Sequence, residues 1–163
     1  MSKNEYPSSI ADFLRESLNR KIVIAGIGNI LRRDDGVGVH ITRNIRETKQ
    51  ITIINAEVSI ENYIGKINHL KPDILLLIDC MHLNMAPGDY KIVSLDEITD
   101  HTFTTHNISL KKLNGFFSMK TYVLGIQPGD ISFGEDLTDS VQDSARHIIQ
   151  EFNLFGNTAY SRI

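Results

Sequence analysis

One cysteine in 163 residues, Cys80, denies this chain an internal disulfide framework or a multi-cysteine zinc site. Basic residues are not in excess. Seventeen Lys and Arg against 20 Asp and Glu give a net charge of −3, without the electrostatic footprint of a nucleic-acid binder. No apolar run approaches the roughly 20 residues of a membrane span; Ile74-Leu-Leu-Leu-Ile78 is of strand length. Residues 1–7 are polar and lack the basic, apolar, small-residue order of a secretory signal. A cytoplasmic protein with neither nucleic-acid partner nor membrane insertion is expected. Internal repeats and low-complexity linkers are missing, and no serine stands in a nucleophile-elbow context. What is left is an ordinary globular composition at a length that suits one core.

Apolar periodicity sets out the elements. Ser8 or Ser9 can cap a helix in which Ile10, Phe13, Leu14 and Leu18 share a face. Residues 21–27 and 51–56 read as strands, and the Val37, Ile41, Ile45 and Ile60, Ile64, Ile67, Leu70 series as helices. Residues 74–78 are apolar on both faces, as in a central strand covered on each side. Pro87-Gly88 marks a turn before an alternating, edge-like strand at 90–95. Residues 108–117 look helical, 121–126 form another strand, and 137–155 a closing helix. Strands alternating with helices predict a three-layer α/β/α domain. The expected division is an N-terminal helical extension (1–20), a single domain (21–155) and a flexible tail (156–163).

The most informative stretch is Gly26-Ile-Gly28-Asn29, followed by Asp34-Asp35-Gly36-Val-Gly38. A glycine turn after a strand suggests a phosphate cradle, but here Leu31 replaces the third glycine of the dinucleotide fingerprint. Two carboxylates at the start of the next helix would repel phosphate and attract a cation. Glu57 could imitate a ribose-binding acid, but the missing glycine demotes that reading.

In an open α/β sheet, ligands bind beyond the carboxyl ends of the strands. That rule selects Asp35 after the first strand, Asp79 at the end of the central one and His106 after the fourth. Two carboxylates and one imidazole suit nickel, zinc or another divalent ion with open positions. Each has an ordinary alternative. Asp34 and Asp35 could simply decorate a helix start, and His106 alone would be a surface histidine. Asp79 is harder to dismiss, since burying a carboxylate behind five aliphatic residues is costly. His82 could add a ligand; His40, His69, His101 and His147 have no chemical company in sequence. Cys80 reads as a small buried hydrophobe.

In order, Gly26-Ile-Gly28-Asn29, Asp34-Asp35-Gly36-Val-Gly38, Ile78-Asp79, Pro87-Gly88, Thr105-His106-Asn107 and Leu124-Gly125-Ile-Gln127-Pro128 resemble the maturation endopeptidases of nickel–iron hydrogenases. The likeness runs from about residue 21 to 152. The Thr-His-Asn and Gly-Ile-Gln-Pro pieces are most similar to the branch serving formate-linked and energy-converting hydrogenases. This resemblance implies a five-stranded mixed sheet between helices, with one strand antiparallel, for which 90–95 is the candidate. It also implies removal of a C-terminal extension from the hydrogenase large-subunit precursor after nickel insertion. Asp35, Asp79 and His106 would be the nickel ligands, with Asp35 and Asp79 also the catalytic carboxylates. Gly28, Asn29, Asp34, Glu57, Thr105 and Gln127 would surround the substrate. The nickel would arrive with the precursor, so no tightly bound resident metal is expected, and the free protein would be a monomer or weak dimer.

The family often carries Asp-Gly-Gly-Ser/Thr after the second strand, where this chain has Asn55-Ala56-Glu57-Val58. The loss of two glycines motivates an alternative, an assembly chaperone that docks on the nickel-loaded subunit without cutting. A self-sufficient metallohydrolase is a third reading, and would hold its metal tightly.

Overall fold

The computed structural model describes residues 7–98 and 110–160. Five strands, β1 (Ile22–Ile27), β2 (Ile51–Glu57), β3 (Ile74–Cys80), β4 (Tyr90–Ser94) and β5 (Lys120–Ile126), form one sheet in the order β2-β1-β3-β5-β4. Four run parallel, and β4 is the antiparallel edge, with Tyr90 opposite Ile126 and Ser94 opposite Tyr122. The mixed sheet and its one reversed strand match the expectation. β1 and β3 are buried along their whole length, which explains their unbroken apolar sequences.

The helices cover both faces. On one side α1 (Ile10–Glu16), α2 (Val37–Asn44) and α4 (Asp139–Tyr160) share a core that includes Phe13, Ile41, Ile148 and Phe152 with Ile24, Ile78 and Tyr122 of the sheet. Phe13 packs edge-on against Tyr122, ring centroids 5.6 Å apart. On the other side Ile60, Ile67 of α3 (Ile64–Leu70), Leu110 and Leu113 cover Val23, Leu75, Leu77 and Val123.

Three local expectations are corrected. Leu18 lies beyond the end of α1 and is exposed, because the chain leaves the helix after Glu16 and Asn19 takes a left-handed conformation. Residues 110–113 form a single 3₁₀ turn; 114–117 are not helical, and 108–109 lie outside the described residues. The last helix does not stop at Gly156 but reaches Tyr160. Phe155 packs on the core, and Gly156 passes so close to Thr48 that a Cβ there would sit 3.2 Å from its methyl. The end of the proposed tail, 161–163, lies outside the described residues.

The chain leaves β1 toward β2 on one side and β3 toward β5 on the other. The carboxyl ends of β1 and β3 therefore flank the crevice where an α/β sheet places its ligand. Gly38 sets α2 into that crevice. A Cβ at Gly38 would collide with the backbone carbonyls of both Ile27 and Ile78.

Candidate active site

The loop after β1 is shaped by its own polar atoms. Gly28 has φ +141°, and a Cβ there would strike the carbonyl oxygen of Asp35. The Asn29 side-chain oxygen accepts from Leu31 N at 3.0 Å, a turn typical of asparagine. Arg32 N then donates to Asn29 O and Asp35 N to Arg32 O, closing a 3₁₀ turn over Arg33–Gly36. Asp34 and Asp35 thus sit one turn ahead of α2 rather than in its first turn.

The two neighbours behave differently. Asp34, 0 % exposed, accepts four hydrogen bonds, from Gly129 N (2.8 Å), Asp130 N (3.0 Å), Thr138 N (2.8 Å) and Thr138 Oγ1 (2.8 Å). Its carboxylate ties the β1 loop to the segment after β5. Asp35, 1 % exposed, accepts from Asn29 N at 3.2 Å. Asp79, 0 % exposed, stands near the end of β3 opposite Gly125 of β5, one residue past the Gly26–Ile78 pair.

Asp35, in the turn that follows β1, and Asp79, near the end of the adjacent β3, are both buried. Cys80 senses them. Burial pushes its thiol pKa far up, and the negative charges of Asp79, Asp35 and Asp34 push it in the same direction. His106 and Thr105 lie outside the described residues. Among the described residues no three His, Cys, Asp or Glu side chains are grouped as a metal site.

The remaining candidates frame the crevice. Gln127 turns its side-chain oxygen to Leu83 N (2.6 Å), and its backbone N–H donates to Asp89 O (2.8 Å). It shapes the β3–β4 loop. Glu57 ends β2 at φ +53°, where a glycine would be at ease, and its carbonyl accepts from Gly28 N at 2.8 Å. Its carboxylate is exposed and lies 3.7 Å from Arg43. Asn55 accepts from the Thr42 hydroxyl at 2.6 Å. Thr138, which grips Asp34, was missed. It lies 104 positions away, and its signal was the polar run after Gln127-Pro128.

Residues 37–153 match the HycI family of hydrogenase maturation proteases. The chain belongs to the hydrogenase maturation protease family. It is 31 % identical over 155 residues to a candidate hydrogenase maturation protease of Methanocaldococcus jannaschii, covering 83 % of this chain and 92 % of that one. It is 26 % identical to the hydrogenase 3 maturation protease of Escherichia coli, covering 86 % and 95 %. The fold matches the maturation protease HycI of Thermococcus kodakarensis, with TM-score 0.78, 24 % identity and coverage of 89 % and 98 %. It also matches the endopeptidase HycI of Escherichia coli, with TM-score 0.74, 27 % identity and coverage of 83 % and 90 %. This hydrogenase maturation protease is accordingly an endopeptidase with a mixed α/β fold. No helix among its described residues is long and apolar enough to cross a membrane.

Proposed function

We propose that this maturation protease removes the C-terminal extension of a nickel–iron hydrogenase large-subunit precursor after nickel insertion. In this reading it recognises the nickel that the substrate carries. The observation that supports it is the burial of Asp35 and Asp79 at the carboxyl ends of β1 and β3, the crevice the topology reserves for a ligand. Two carboxylates drawn out of water gain most from a cation that comes to them. A cation already held by the precursor would be bound on docking, and His106 would complete the set. Gly28, Asn29 and the backbone of Glu57 would line the approach of the substrate tail. A carboxylate beside the docked tail would take a proton from the attacking water and pass it to the leaving amine.

The cytoplasm is the proposed site of action, since the precursor must be met before assembly. The decisive experiment incubates the protein with nickel-loaded and nickel-free precursor and follows the C-terminus by mass spectrometry. Shortening of the nickel-loaded form alone, abolished by Asp35→Asn, is expected. Equal cutting of both forms would refute nickel recognition. No cutting of either would refute the activity on this substrate.

A further inference from the structure

On the segment that Asp34 fastens to the β1 loop stands a side chain that the chemistry does not use. Phe133, on the segment after β5, is 84 % exposed, and Leu31, on the β1 loop, is 45 % exposed. Their two segments run side by side. Gly134 N donates to Leu31 O at 2.8 Å, and Arg33 N donates to Gly134 O at 2.7 Å, forming a short parallel bridge.

Surface loops with apolar tips are usually loose, but this one is fastened from below. Asp34 accepts from Gly129 N, Asp130 N, Thr138 N and Thr138 Oγ1, and Asp34 N donates to Asp130 O at 3.1 Å. Asp130 in turn accepts from Ser132 N at 2.8 Å. A buried carboxylate thus anchors both ends of a segment whose tip presents a phenyl ring to water. Ordering such a tip in advance removes conformational entropy that binding would otherwise have to overcome. Aromatic and arginine side chains are the types enriched at the cores of protein interfaces, and Arg32 lies between Leu31 and the anchored turn.

We propose that Leu31 and Phe133 form a prebuilt apolar ridge that docks on the folded body of the precursor beside the tail to be cut. This rests on the reading that the substrate is a large-subunit precursor. Continuity with the crevice argues for that occupant. Leu31 is four residues from Asp35 along one loop, at most about 14 Å of chain. A folded protein whose tail enters beside the β1 loop would bring its neighbouring surface to this ridge.

The test compares the wild type with Phe133→Asp, Leu31→Ser and the control Phe116→Asp. Phe116 is 60 % exposed and precedes the amino end of β5, at the opposite end of the sheet. Affinity for purified nickel-free precursor is measured by interferometry, and KM and kcat with nickel-loaded precursor. At least tenfold weaker affinity and a similar rise in KM are expected for both ridge variants, with kcat unchanged and the control at wild-type values. Melting temperatures within a few degrees of wild type verify folding. Cleavage with wild-type KM and affinity in both ridge variants would overturn the ridge and leave the cleavage reading intact. Weakened binding by a protein that cuts nothing would support the ridge and end the cleavage reading. Wild-type KM combined with loss of a self-associated form in ultracentrifugation would assign the ridge to a second copy of this chain and overturn the proposal. A wild type that neither binds nickel-free precursor nor shows a saturable KM with the nickel-loaded form would overturn it as well.

Discussion

Asp34 and Asp35 are adjacent in the chain yet serve different parts of the molecule. Asp34 holds the segment after β5 through four hydrogen bonds, whereas Asp35 accepts from Asn29 N beside the end of β1. A doublet of like residues has been divided into a structural clamp and a carboxylate of the crevice. The same substitution at the two positions should separate the roles. Asp34→Asn turns an amide group toward buried donors and should cost about 3 kcal/mol. That is a fall in melting temperature of roughly 6–12 °C for a chain of this size. Asp35→Asn should shift melting much less and reduce precursor cleavage by about 100-fold or more. Calorimetry and a cleavage assay on both variants provide the check.

Glu57 should behave in the opposite way. A non-glycine residue at φ +53° carries backbone strain, and the exposed Arg43 contact at 3.7 Å returns little. Glu57→Gly should therefore raise stability, by up to about 1 kcal/mol, as chemical denaturation would read. If the carboxylate also grips the substrate, KM will rise in the same variant while stability improves.

His40 gives the protein an acid-side liability. Burial lowers its pKa below the ordinary 6.5, and Arg43 lowers it further. The unfolded chain then takes up the proton first, so stability falls as pH drops below about 6.5. His40→Gln should lose less melting temperature than wild type between pH 7.5 and pH 5. Parallel thermal melts at the two values test the sign.

Cys80 should be inert in the folded protein. It is buried, and both its surroundings and the carboxylates of Asp79, Asp35 and Asp34 keep it a thiol well above neutral pH. Iodoacetamide at pH 8 should leave it unmodified in the native state and label it fully in denaturant. Rapid native labelling would show that this end of the sheet opens.

Much of this molecule was legible before folding was considered. The five strands are legible in apolar runs such as 74–78 and in the alternation at 90–95, because burial on one face or two leaves its own period in sequence, whereas the mixed direction came from the family resemblance. The positions of Asp35 and Asp79 followed from the rule that loops at strand carboxyl ends meet. Leu18 and the 110–117 segment were misread because periodicity cannot see where a short helix loses its packing partner.

What the amino-acid order alone determined was the strands with their burial and the places of Asp35 after β1 and Asp79 at the end of β3, since these depend on local pattern. Tertiary structure alone decided that Asp34 is a clamp, that Gln127 shapes a loop and that Phe133 is displayed on a fastened tip. Each of those outcomes depends on a partner dozens of positions distant, Thr138 for Asp34 and Leu83 for Gln127. A side chain's own residue type does not state which distant amide will reach it. Packing two loops against each other does.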